Sequence, residues 1–138
     1  MEIKKYNYMP KEARAIRQKV FVEEQGFQEE FDEIDGQATH ILVFDGERAV
    51  ATCRFFFSLK LKGYLVGRIA VLKEYRGKRI GALMMEKTKE CLQEIGVNGV
   101  FLHAQTHAIG FYEKQGFVSL GIEDEEEGHA HLWMKKEW

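Results

Sequence analysis

Apolar residues dominate three segments of strand length: 38–44 (ATHILVF), 48–58 (RAVATCRFFFS) and 64–72 (YLVGRIAVL). Asp45-Gly46, between the first two, is a two-residue hairpin signal, and Lys62-Gly63 turns the chain before the third. Together they predict an antiparallel meander. Residues 2–5 (EIKK) predict a short edge strand before it. Ala13, Ile16, Val20 and Phe21 recur at three- and four-residue steps, which predicts a helix from Pro10 to about Glu24. Proline suits a first helical turn, where N–H groups have no partner within the helix. Residues 25–37 (QGFQEEFDEIDGQ) are polar and acidic and read as a loop or a loose second helix.

Beyond the meander the period changes to that of a helix. Ile80, Leu83, Met84, Cys91, Leu92 and Ile95 share one face from about Arg79 to Ile95, and Gly96 is placed to end the helix. A strand at 99–105 (GVFLHAQ) should then run parallel to the strand before the helix, through a right-handed crossover. A short helix over 108–115 stops at Gly116, and 117–122 forms a strand. The acidic run EDEEEG reads as a solvated loop, and 129–136 (HAHLWMKK) as the last strand. The pattern predicts one α/β domain over residues 1–138 with a mixed sheet.

Composition narrows the function classes. A chain of 138 residues, 45% hydrophobic with one proline, can bury a core without disulfides or metals and is not a disordered sequence. Its net charge of -2 argues against a general nucleic-acid binder. Cys53 and Cys91 form no CxxC pair and read as small core residues. No cationic leader opens the sequence and no apolar stretch is of membrane-spanning length, so the expectation is a cytoplasmic protein without a membrane partner.

Against this acidic background, residues 74–82 (EYRGKRIGA) stand out. Arg76, Lys78 and Arg79 gather where a helix begins, at its electropositive end. Exposed N–H groups of a glycine-containing loop, with cations beside them, suit an anion supplied from outside. The spacing matches neither the P-loop nor the dinucleotide fingerprint, because GxxxxGK[ST] and GxGxxG are both absent. On spacing alone, a solvated basic turn is the competing reading.

The stretch VGRIAVLKEYRGKRIGALMM resembles motif A of the GNAT acyltransferase superfamily, [QR]xxGx[GA], with Arg76 in the first position and Gly81 in the last. Arg79 departs from the pattern at the inner glycine, which is compatible with a helical backbone there but not with a requirement for positive φ. GFYEKQGF at 110–117 resembles the family's motif B. RQKVFVEEQGF, DEIDGQATHIL, LHAQ and HLWM are similar to the small bacterial ElaA-like branch.

The resemblance implies a mixed, mostly antiparallel sheet of six to seven strands, splayed at its centre and flanked by about four helices. It implies acetyl-CoA as cosubstrate and transfer of its acetyl group to a primary amine of a small molecule or protein. The donor's pyrophosphate would meet Arg76, Gly77, Lys78, Arg79, Ile80, Gly81 and Ala82, and its pantetheine arm Ile69, Ala70 and Val71. Tyr112 matches the family's general acid and would also touch the donor. His103 and Glu24 are candidate bases, and Asp32, Asp35 and His131 candidate acceptor-binding residues. A water chain is another route for the proton. His129 and His131 share a strand face, but no third ligand has diagnostic spacing, so no metal is expected. A non-catalytic acyl-CoA-binding module and use of another acyl donor are the alternatives. The strand ending in Trp138 is a candidate for pairing across a homodimer.

Overall fold

The computed structural model describes residues 1–28 and 31–138. Along β2 (Thr39–Asp45), successive side chains serve two cores. Ile41 and Val43 join one, Leu42 and Phe44 the other, as the two-residue period of a strand requires. The first core is closed by α2 (Ile80–Glu94) and α3 (Ile109–Lys114), through Ile80, Met84, Met85, Cys91, Leu92 and Tyr112. The second is closed by α1 (Lys11–Arg17) and the π-helical segment Gln18–Glu24 that continues it, through Ala13, Ile16, Val20 and Phe21.

The sheet has seven strands, in the order β1-β2-β3-β4-β5-β7-β6. β1 (Glu2–Tyr6), β2, β3 (Arg48–Ser58) and β4 (Gly63–Val71) form the antiparallel part. β5 (Gly99–Gln105) pairs parallel with β4, and β7 (His129–Glu137) runs antiparallel between β5 and the edge strand β6 (Val118–Glu126). β7 has a neighbour on both sides, β5 from His131 to Glu137 and β6 from His129 to Lys135, so where both pair with it its edges are taken within the chain.

Several local expectations are corrected. The β2–β3 turn falls on Gly46-Glu47, with Asp45 already opposite Arg48 and Gly46 at φ 62. Leu83 and Ile95 lie outside the buried stripe of α2, which uses Met85 and Thr88 instead. The acidic residues Glu123–Glu126 belong to β6, not to a loop. Within 25–37, Glu33–Gly36 is a 3₁₀ turn, while Glu29 and Glu30 lie outside the described residues. Three α-helices and the π-helical segment Gln18–Glu24 are present among the described residues, consistent with the about four flanking helices expected. Gly96 does end α2: its N–H bonds Gln93 and that of Val97 bonds Leu92, the paired bonds of a Schellman turn. Both cysteines are buried and free, and burial pushes the Cys53 thiol up to about 12. Among the described residues, no helix is long and apolar enough to cross a membrane.

One feature of the sheet positions the site. β4 and β5 pair only through Leu65↔Phe101 and Val66↔Leu102, then part. On the other edge of β4, Thr52↔Ala70 and Arg54↔Gly67 leave Arg68 and Ile69 opposite a single residue, Cys53. This bulge carries Arg68 at φ 51 and bends the strand where the sheet opens.

Candidate active site

From the open edge of β4 the chain passes through a 3₁₀ turn (Lys73–Tyr75) into α2. Among the described residues, no backbone N–H from Gly77 to Ala82 donates to a protein acceptor, and the first turn of α2 contains no acidic residue. Arg79, the residue before the helix, is left-handed (φ 64, ψ 19), so the helical backbone expected there is not adopted. Such a conformation costs a side-chain-bearing residue about 1–3 kcal/mol and clusters at functional loops. The three cations are not equivalent. Arg76 is tied down: Nε donates to the Val71 carbonyl at 2.9 Å, and Nη2 donates to both oxygens of Glu24 at 3.0 and 3.2 Å. Lys78 and Arg79 are exposed, the Lys78 ammonium lying 5.2 Å from the centre of the Tyr75 ring. Gly81 lets the helix approach α3, since a Cβ there would sit 2.9 Å from the Phe111 ring.

Where β4 and β5 part, a cavity of about 200 Å³ opens. Gly67, Arg68 and Ile69 line it from β4, His103 and Gln105 from β5, and Tyr112 from α3. Tyr112 is almost fully buried, edge-on to Phe111 and Phe117. Burial pushes its phenol well above the ordinary tyrosine range, so it stays protonated and able to donate at neutral pH.

The opposite wall comes from β6 and β7. His131, His103 and Trp133 stack in that order, with ring centres 4.4 and 4.3 Å apart. Asp124 accepts from Trp133 Nε1 at 3.2 Å and lies 2.5 Å from His103 Nε2. His131 Nδ1 is 2.8 Å from the His129 carbonyl, to which it donates. Burial lowers the His131 pKa below the ordinary histidine value, which keeps the ring neutral at pH 7. His129 stacks on Phe27 instead and does not join this group.

The acidic residues expected at this site are otherwise engaged. Glu24 pairs with Arg76 and does not line the cavity. Asp35 is buried against Arg17 and Arg54, each 2.7 Å away, and Asp32 accepts from Arg54 at 2.6 Å with Arg68 at 3.5 Å. Burial would raise the Asp35 carboxyl, but the hydrogen bond and charge of Arg17, with Arg54 behind it, outweigh this and hold it down to about 2. It is the arginines Arg54 and Arg68, not their acidic partners, that line the cavity. Asp35 is enclosed by these arginines, whereas the Asp32 side chain stays 37% exposed beside Arg54 and Arg68.

A family model described as an acetyltransferase (GNAT) domain matches residues 6–138. The chain belongs to the GNAT acetyltransferase family. It is 36% identical over 132 residues to the "Uncharacterized N-acetyltransferase YjcF" of Bacillus subtilis (strain 168), covering 92% of this chain and 91% of that one. It is 34% identical over 127 residues to ElaA of Escherichia coli (strain K12), covering 88% and 83%. The crystal structure of Escherichia coli ElaA superposes with a TM-score of 0.86 over 99% of both chains, at 30% identity. An aminoglycoside 6′-N-acetyltransferase, crystallised with coenzyme A, shares the fold at a TM-score of 0.76 and 13% identity, over 99% of this chain and 97% of that one. The protein is thus an acyltransferase on a GNAT fold.

Of the residues singled out from the sequence, this GNAT chain brings Ile69, His103, Tyr112 and His131 into one cavity. Ala70 is buried in the second core, so only its backbone can serve a ligand. Residues 76–79 form an exposed loop outside the cavity lining, and Ile80, Gly81 and Ala82 are the first turn of α2, with the Ile80 side chain in the first core. Sequence reasoning missed Glu126, Trp133, Arg54 and Arg68, all of which line the cavity. A signal did exist for Trp133: His131 and Trp133 are two apart in a strand and must share a face.

Proposed function

We propose that the enzyme is an acetyl-CoA-dependent N-acetyltransferase that joins donor and amine directly in a ternary complex. The observation that carries this reading is continuity. Acceptor-less amides at the start of α2 lead to an open strand edge, and that edge ends in a cavity with a protonated tyrosine. The coenzyme A bound to the structurally similar aminoglycoside enzyme supports it.

In this reading the N–H groups of Gly77–Ala82 bind the pyrophosphate, assisted by Lys78, Arg79 and the helix dipole. Arg76 chiefly fixes the loop, through Glu24 and the Val71 carbonyl. The β4 edge from Gly67 to Val71 pairs with the pantetheine arm. Acetyl-CoA supplies a thioester, whose carbonyl a strand N–H near Ile69 is placed to polarise. Imidazole in the cavity takes the ammonium proton, which frees the nitrogen lone pair for attack. Tyr112 gives its proton to the departing thiolate, and the second proton shed by the attacking nitrogen as the amide forms restores the phenol. His103 and His131 both line the cavity and are the candidates for that imidazole, whereas Glu24 pairs with Arg76 in the loop.

The test is Tyr112→Phe. Thiol release with a panel of primary amines should fall by about 10²–10⁴, the usual contribution of a positioned acid, while coenzyme A affinity stays within about twofold. Unchanged turnover removes Tyr112 from the chemistry. Coenzyme A binding without turnover on any amine, in the wild type, overturns the N-acetyltransferase reading.

A further inference from the structure

The donor reading leaves one group of atoms unexplained. On the β5–β7 side of the cavity, hydrogen bonds fix both imidazole tautomers. With Nε2 of His103 donating to Asp124, the neutral ring presents its lone pair at Nδ1. With Nδ1 of His131 donating to the His129 carbonyl, the lone pair is at Nε2. Glu126 Oε2 stands 3.8 Å from His103 Nδ1 and 4.0 Å from His131 Nε2. One ligand atom from each of the three residues lies within 4.8 Å of the others. Among the described residues, Glu126 has no lysine or arginine partner.

Three acceptors around one point suit either a metal ion or a nitrogen with three N–H donors. Two ligands of a tetrahedral zinc at about 2.0–2.1 Å stand roughly 3.4 Å apart. Two acceptors of one ammonium nitrogen, each at about 2.8 Å, stand roughly 4.6 Å apart. The two separations from Glu126, 3.8 and 4.0 Å, fall between these, and the stricter angular demand of a metal decides. His103 and His131 are stacked, 24° from parallel with centres 4.4 Å apart. A metal would need both rings to aim in-plane lone pairs at one point about 2 Å away, a stricter demand than hydrogen bonds to an ammonium make. Longer, more tolerant hydrogen bonds are compatible with the stacked rings.

We propose that Glu126, His103 and His131 form the binding site for the acceptor's primary ammonium, with Glu126 as its anchoring carboxylate. The inference rests on reading this cavity as the acceptor side of the acetyltransferase. It narrows the acceptor to amines that arrive charged and carry three N–H donors, over alcohols and quaternary amines. Once the ammonium is seated, its proton passes to His131 Nε2. This leaves a neutral amine with its lone pair and an imidazolium beside Glu126.

Binding is tested without acetyl-CoA. 2-Phenylethylammonium, 2-phenylethanol and the N,N,N-trimethyl analogue are titrated while the His103 and His131 ring signals are followed by NMR. The primary ammonium should shift both rings, and Glu126→Gln should weaken it about tenfold, whereas Glu126→Asp retains part of the affinity. Both the alcohol and the trimethyl compound should bind more weakly; Glu126→Gln should leave the neutral alcohol unchanged and cost the trimethyl cation, which has charge but no N–H donor, less than the primary ammonium. Thermal melts of the variants establish that they are folded. The proposal is overturned if the wild-type rings do not respond up to the solubility limit, or if Glu126→Gln has no effect. It is equally overturned if all three probes lose affinity alike, or if zinc alone binds at micromolar concentration and is lost in Glu126→Gln. None of these outcomes touches donor binding at the α2 loop, so the two readings fail separately.

Discussion

The two ends of the cleft are made from different materials. At the start of α2 the available polar groups are main-chain N–H groups within six consecutive residues, Gly77–Ala82. Around the cavity they are side chains from three strands, His103 on β5, Glu126 on β6 and His131 on β7, brought together by pairing register. A site made of local backbone tolerates variation in side chains but not in conformation. A site made of long-range register depends on each side chain and on the packing that aligns the strands. The donor end should therefore resist substitution in the core network, and the acceptor end should resist changes in the loop.

That contrast can be broken at four points. The largest effect belongs to Asp35→Asn, which strands the buried guanidinium groups of Arg17 and Arg54. Removing one partner of a buried charge network costs about 3–5 kcal/mol, measurable as a denaturant midpoint. Coenzyme A affinity of the folded variant should stay within about twofold. The pH dependence has a definite sign. The folded pKa of Asp35 is depressed to about 2. Its contribution is thus complete above the unfolded carboxylate value of about 3.9 and is lost as pH falls toward 2. The gap between wild type and Asp35→Asn should close over that window.

Next comes charge reversal in the loop. Lys78→Glu combined with Arg79→Glu should weaken coenzyme A by about 10- to 100-fold, and pantetheine, which lacks the nucleotide, by less than about twofold. Equal losses for both ligands would place the cations elsewhere in recognition. A smaller effect concerns acidity. Because burial lowers the His131 pKa, kcat/KM for an amine should hold as pH falls through 6.5, where an ordinary histidine is half protonated, and decline only below it. The smallest is Arg79→Gly. It removes a left-handed side-chain-bearing residue and should raise stability by about 1 kcal/mol or less while slightly weakening coenzyme A.

What could be read from the sequence follows the same division. The apolar runs at 48–58 and 99–105 match β3 and β5 because their periodicity is local and strong. Gly96 could be recognised because a Schellman turn uses residues adjacent in sequence. Arg79 was misleading: a left-handed residue normally announces itself as glycine, and here the loop holds an arginine in that state. The acidic run is solvent-exposed as its charge suggests, but it is strand rather than loop, and Asp124 and Glu126 face histidines on neighbouring strands. The β6–β7 register slips between Ser119 and Glu123, at a segment where Gly121 has φ 73. That slip breaks the two-residue period, so no count along the sequence places Glu126 beside His131. The widened turn of Gln18–Glu24 was equally hidden, since its apolar spacing also fits an ordinary helix.

The central claim is that backbone amides at the start of α2 receive a diphosphate. Amide NMR of Gly77–Ala82 during titration with coenzyme A, and in parallel with pantetheine, addresses it directly. The account predicts large shifts of these amides with coenzyme A and almost none with pantetheine. Amides that stay still under saturating coenzyme A, or that respond equally to both ligands, would contradict it.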